Sequence, residues 1–309
     1  MIKNITFKEK LTRQLYHIYY LNILNYIKPK VVITYIDNNS IYLWLSQKYK
    51  KCEFIAIQNG LRQIFENYNY KDICKHQHFY CFGMYDVKKH KTLGCSIKYS
   101  YPVGSFRVGL INNDQGHVKK EYDICIISSD GRRDPKIIKE KGIQEIAHNN
   151  RKIDQLLKKY IEDNNLSLVI ALSTSNISEK KYFNNLFGYE VSLMPRKNEL
   201  STYHTINKSK LSISFMSTMI LETIALGSKA ISIHFDNSDI YFDYPKEIKY
   251  LYKDYNSFCK YMNGLLDMSQ EEYIKKIEIT RELVMNNDIN NPPHRLIKKH
   301  VQDIVNSAR

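Results

Sequence analysis

Four short polar runs, each placed directly after an apolar stretch, carry the side chains with chemical options. Asp37-Asn38-Asn39 follows Val31–Ile36. A carboxylate at that place can act as a base or hold a hydroxyl-rich ligand, while Asn39 or Ser40 can instead cap the next helix. Gln58-Asn59-Gly60-Leu61-Arg62 follows Phe54–Ile57. Its glycine lets the backbone approach a ligand closely, its amides donate and accept, and Arg62 can fork onto a phosphate or carboxylate. Asn-Gly equally suits an ordinary turn. Ser128-Ser129-Asp130-Gly131-Arg132-Arg133 follows Ile124–Ile127 and suits a phosphate, or a solvated polar loop. Ser217-Thr218 precedes a helical stretch, with Glu222 one turn further in. The hydroxyls can cap the helix or meet a phosphate, and the carboxylate can accept ribose hydroxyls or simply favour the helix dipole.

The elements that position these runs read as alternating strands and helices. Residues 8–27 are predicted helical from Leu11, Leu15, Ile18, Leu21 and Leu24 at steps of three and four, and Pro29 stops them. Strands are expected over 31–36, 54–57 and 79–82, with a helix over 40–49. A second series has strands at 124–127, 168–172, 211–214 and 230–233, and helices over 144–163 and 218–226, the latter ending at Gly227. Short continuous apolar strands separated by helices indicate parallel sheets buried on both faces. The expectation is an α/β chain of two Rossmann-like domains facing across a cleft, residues 1–116 and 117–309, with 111–120 as linker. The last helix, after the break at Asn291-Pro292-Pro293, is expected to pack back on the first domain. In such folds ligands bind where strand C-termini point, which is where the four runs lie.

Composition narrows the classes. Across 309 residues, 43% hydrophobic and 25% charged exclude wholesale disorder and collagen-like fibres. The net charge of +14 admits a polyanion, an anionic membrane face or a phosphate-bearing substrate. The lysines are spread in ones and twos with no dense basic block, which argues against sequence-reading of nucleic acid. No stretch of 18 apolar residues occurs and the N-terminus has no uninterrupted apolar core of a secretory signal, so a cytoplasmic chain with at most peripheral membrane contact is expected. The six cysteines lack CxxC spacing and are expected reduced and mostly buried. His76 and His78 straddle Gln77, but as a metal pair they need further ligands that the sequence does not offer, so they are read as structural, as is His204.

At these residues a family resemblance enters. Ser217-Thr218-Met219-Ile220-Leu221-Glu222 through Gly227-Ser228-Lys229 is similar to the Ser-Thr-x-x-x-Glu element of GT-B glycosyltransferases. Together with Val32–Asn39, Ile55–Arg62 and Tyr101–Arg107, it resembles the bacterial surface carbohydrate biosynthesis family, related to transferases that use CMP-activated sugar acids. Gln58-Asn59-Gly60 also occupies the place of the His-Gly motif of CDP-glycerol polyol-phosphate transferases. The chain departs from the family by Ser173, where an arginine is expected, and by one helix where members carry a further α/β segment, which implies a reduced N-terminal domain.

The resemblance implies that Ser217, Thr218 and Glu222 hold the donor nucleotide, with Ser128 and Ser129 near its phosphate. Asp37 and Asp130 become the catalytic candidates, as base or as nucleophile, with Gln58 beside them. Asn59, Gly60 and Arg62 would meet the acceptor. The implied activity is transfer of a sugar from a nucleotide donor, CMP-linked by preference, to a surface polysaccharide or lipid-linked glycan. It would run without a cofactor; no Asp-x-Asp after an apolar strand occurs, which fits a metal-independent site. The alternatives are a CDP-alcohol polyol-phosphate transferase and a non-catalytic scaffold of the same assembly route.

Overall fold

Alternation inside one central strand explains its continuous apolar run, Phe54–Ile57. In β2 (Glu53–Ile57), Phe54 and Ala56 join one buried cluster while Ile55 and Ile57 join another. Both sheet faces are covered, so neither set of alternate residues meets water. The computed structural model describes residues 7–61, 74–111, 118–129, 136, 138–139, 144–174, 177–235 and 244–307. Arg62 and Asp130, with Gly131 to Arg133, lie outside these described residues.

The chain separates into two compact units: Met1–Gly60, Asn67–Gly109 and Asp288–Arg309 form the first, Leu61–Glu66 and Leu110–Asn287 the second. In the first, α1 (Phe7–Ile27), β1 (Val31–Thr34), α2 (Ser40–Lys48), β2, β3 (Lys75–Cys81), α3 (Met84–Thr92), β4 (Ser96–Pro102) and α4 (Phe106–Ile111) follow in order. The sheet runs β1-β2-β3-β4, wholly parallel. Leu24, Tyr42, Leu43 and Leu45 of α1 and α2 cover one face. The other face takes Ile297, Leu296, Val301 and Ile304 of the C-terminal helix α11 (Pro293–Ser307). That helix seats closely because Gly109 has no side chain: a Cβ there would stand 2.7 Å from Pro293 Cδ.

The second unit contains β5 (Tyr122–Ile127), α5 (Gln144–Asp163), β6 (Leu168–Ala171), α6 (Ile177–Phe187), β7 (Ser192–Met194), α7 (Ser201–Asn207), β8 (Ser209–Ser214), α8 (Met219–Ala225), β9 (Ala230–His234), β10 (Lys249–Leu251), α9 (Tyr255–Asp267) and α10 (Gln270–Val284). Its parallel sheet runs β10-β9-β8-β5-β6-β7. The strands spread outward in both directions from the β5–β8 pair, the doubly wound Rossmann order. Gly227 follows α8 at φ +78°, the left-handed position that ends the helix.

Several expectations need correction. The α1 residues Leu11, Leu15 and Ile18 are exposed, and only Leu21 and Leu24 pack inward. Each three-residue step turns a helix back by about 60°, so successive steps of three walk off the face on which they began. β1 stops at Thr34, leaving Ile36 exposed. Strands β4, β7 and β10, absent from the sequence reading, are all sheet edges. These three lie partly in water and lack the continuous apolar run that β1, also an edge, retains. All six cysteines are free, but only Cys81 and Cys125 are buried. Both lie on strands covered on both faces, whereas Cys52, Cys74 and Cys95 each sit just before a strand and Cys259 is half-buried on α9.

Candidate functional site

In the second unit, β5 and β8 lie side by side while the chain leaves them in opposite directions, which opens a crevice at their C-terminal ends. Ser128 and Ser129 follow β5, and Ser217 and Thr218 stand after β8. Ser214 Oγ donates to Ile127 O at 3.0 Å and ties the two strand ends together. A buried carboxylate then organises the β5 side. Glu179, in the first turn of α6, accepts from Ser128 Oγ, from Ser173 N–H at 3.2 Å and Oγ at 2.7 Å, and from Thr174 N–H at 3.0 Å. Ser129 Oγ donates to Asn150 Oδ1 at 3.3 Å.

On the β8 side the backbone of Ser217 is clamped by one phenol. Its N–H donates to Tyr244 Oη, and that hydroxyl donates to Ser217 O, each at 2.8 Å. Burial raises the Tyr244 pKa above the ordinary phenol range, so the group keeps the proton it donates. Ser217 Oγ accepts from Met219 N–H at 3.3 Å, and Thr218 Oγ1 accepts from Leu61 N–H at 2.8 Å. Glu222 is buried on α8, its Oε2 accepting from Tyr203 Oη at 2.7 Å. Lys229 reaches away from these groups: its Nζ donates to the carbonyls of Leu265, Leu266 and Met268 at the end of α9.

In the first unit the C-terminal ends of β1, β2 and β3 bring Asp37, Gln58 and Asp86 together. Gln58 is buried and engaged on both amide atoms: Oε1 accepts from Phe82 N–H at 3.1 Å, and Nε2 donates to Gly60 O and to Asp86 Oδ1, each at 3.3 Å. Asp37 Oδ1 accepts from Asn59 N–H at 3.4 Å. Arg107 donates to Asn59 O at 3.4 Å and lies over the Tyr35 ring. Asn39 caps α2, accepting from Ile41 and Tyr42 N–H groups.

Asp86 and Glu179 were not singled out in the sequence, although each left a trace. Asp86 stands three residues after Gly83, itself directly after the β3 apolar run. Asn176-x-x-Glu179 has capping-box spacing. Asp86 Oδ2 is buried without a hydrogen-bond partner. Burial above all, with the charge of Asp37 adding, lifts its carboxyl from the ordinary 3.8 to about 6. The histidine pair is structural in its contacts: His78 bonds Glu53 and Tyr101, each at 3.0 Å, and His76 stacks on Phe79. Among the described residues, no group of three His, Cys, Asp or Glu side chains is placed to hold a metal ion.

Residues 55–300 match a family model described as "putative O-antigen biosynthesis protein". No curated protein matches the chain. Among solved structures, UDP-GlcNAc 2-epimerase from Neisseria meningitidis bound to UDP-GlcNAc is similar over 98% of this chain and 84% of that one, with a TM-score of 0.61 at 13% identity. The enzyme of the same name from Methanocaldococcus jannaschii, in complex with UDP-GlcNAc and UDP, covers 85% and 79% with a TM-score of 0.53 at 12% identity. The wall teichoic acid polymerase TagF, soaked with CDPG, covers 91% and 73% with a TM-score of 0.59 at 13% identity. These likenesses establish the fold, which is GT-B.

Proposed function

The chain belongs to this O-antigen biosynthesis family, and on that premise we propose that it is a glycosyltransferase that moves a sugar from a nucleotide donor, CMP-linked by preference, to a surface polysaccharide or lipid-linked glycan. The observation that carries this reading is the Rossmann strand order of the second unit, which gathers Ser128, Ser129, Ser217 and Thr218 at its switch point. Nucleotide-binding α/β sheets use that crevice, and hydroxyls there suit a diester or pyrophosphate. Glu222 is the candidate ribose acceptor, held in place by the Tyr203 hydroxyl.

The chemical step needs a stabilised leaving phosphate and an activated acceptor hydroxyl. Asp37 is the candidate base, or the nucleophile if configuration is retained; Asp130 is the second candidate. Gln58 serves by shaping the loop: with both amide atoms engaged, it fixes the Asn59-Gly60 backbone that would meet the acceptor, together with Arg62. The proposed transfer uses no metal or cofactor. The site of action is the cytoplasmic membrane face, where a lipid-carried acceptor would be presented; no described helix is long and apolar enough to cross a membrane.

The likeness to a polymerase soaked with CDPG favours a second reading, transfer of a polyol phosphate from a CDP-alcohol. A thermal-shift panel of CMP, CDP, UDP and GDP separates the donors, because a ligand bound only by the native state raises Tm by mass action. CMP is expected to give the largest shift; CDP leading would favour the second reading. Sugar transfer is expected to fall by about 100-fold in Asp37→Ala and Glu222→Gln. Full activity in both variants would overturn the site assignment.

A further inference from the structure

Helix α1 carries apolar residues on the side that the fold does not use. Leu24 is buried, Leu21 packs beside it, and His17 stacks on Trp44 at 4.3 Å. Turned away from this packed side, Leu11, Leu15, Ile18, Tyr19 and Tyr26 recur at helical spacing. All are exposed, from 47% for Leu11 to 89% for Tyr26. Residues of this size on one exposed stripe are a surface that another phase or molecule covers.

What lies at the end of the stripe states the chemistry of that cover. The chain leaves α1 through Lys28 and Lys30. These residues, with Lys50, Lys51, Lys75 and Lys98, line a cavity of about 830 Å³ in the same unit. Among its described lining residues Glu53 is the sole carboxylate, and its Oε2 already accepts from Gln77 and faces His78 at 3.0 Å. A second copy whose two-fold axis passed through the cavity would bring lysines against lysines. An anionic bilayer instead supplies charge for the lysines, hydrocarbon for Leu11, Leu15 and Ile18, and a headgroup layer suited to amphipathic tyrosine rings.

We infer that the outer stripe of α1 and the adjoining lysine cavity form a docking surface for a membrane carrying anionic lipids. This deepens the transferase reading, on which it rests only for its purpose of holding the enzyme at the membrane that carries its acceptor; the cavity itself lies at the N-terminal ends of β1–β4, away from Asp37 and Gln58. The binding itself needs neither donor nor acceptor.

Flotation of the full chain with vesicles of phosphatidylcholine and phosphatidylglycerol in equal parts, against phosphatidylcholine alone, tests it. The chain is expected to float with the anionic vesicles only, and to be released as salt rises. The triple variant Leu15→Ser, Ile18→Ser and Tyr19→Ser is expected to lose at least about tenfold in partition. Lys28→Glu, Lys50→Glu and Lys51→Glu are each expected to lose about fivefold or more. Lys197→Glu, exposed on the second unit, is expected to float as the unaltered chain does. Absence of flotation, equal flotation with both vesicle types, or flotation unchanged in the α1 and lysine variants would each overturn the inference. So would a dimer in sedimentation that the α1 variant dissolves while no vesicle is bound. The nucleotide thermal-shift panel is read separately, so loss of docking with a retained nucleotide shift refutes only the membrane surface.

Discussion

The two sheets end in different kinds of carboxylate. In the second unit, Glu179 accepts from both the backbone and the side-chain hydroxyls of Ser173 and Thr174, and from Ser128. That arrangement is a rigid frame that holds two strand ends in one geometry. In the first unit, Asp86 is equally buried, but one oxygen rests on the Gln58 amide and the other has no hydrogen-bond partner. The difference teaches that donors divide the roles of buried carboxylates: burial raises the Asp86 carboxyl, and the Gln58 amide aimed at it offsets only part of that. Many donors make a strut, and few make a group whose protonation changes near neutral pH.

The largest expected effect tests the strut. Glu179→Ala leaves the buried Ser128 hydroxyl and the half-buried donors of Ser173 and Thr174 without an acceptor and is expected to cost about 3 kcal/mol in urea unfolding, with Glu179→Gln recovering part of it. If the loss is under about 1 kcal/mol, the carboxylate is not the organiser of that strand end. A smaller effect tests the poised group through pH. The Asp86 carboxyl sits at about 6 in the fold against 3.8 ordinarily, so the folded state binds the proton more tightly. Its contribution is complete below pH 3.8 and is lost as pH rises through 6, by about 3 kcal/mol. Unfolding from pH 4 to 7 is therefore expected to show wild type weakening relative to Asp86→Asn. Parallel profiles would show that Asp86 carries no such shift. The smallest effect concerns a local signal: Asn39→Ala removes the α2 cap and is expected to cost about 1 kcal/mol, read as a modest fall in melting temperature.

Much of the frame was legible from local sequence. The central strands β2, β5, β8 and β9 carry short apolar runs and are largely buried on both faces, and α5 carries a long amphipathic repeat ending where it was expected, at Asp163. Gly227 and Asn39 announce a helix end and a helix start through backbone and side-chain chemistry confined to a few residues. The edge strands β4, β7 and β10 were not legible: Ser96–Pro102, for one, shares its surface with water and so mixes lysine, serine and tyrosine.

The candidate site divides along the same line. The sequence by itself determined that polar runs follow apolar strands, that hydroxyls and amides gather there, and that the chain alternates strand and helix; these depend on neighbours along the chain. Only the tertiary structure decided that Glu179 serves Ser128 from 51 residues away, that Asp86 meets Gln58 across 28, and that α1 turns Leu11, Leu15 and Ile18 outward. A hydrogen bond between distant residues is set by where parallel strands place their ends, and no local spacing records that. Nor does it record which half of an apolar helix finds a core to pack against.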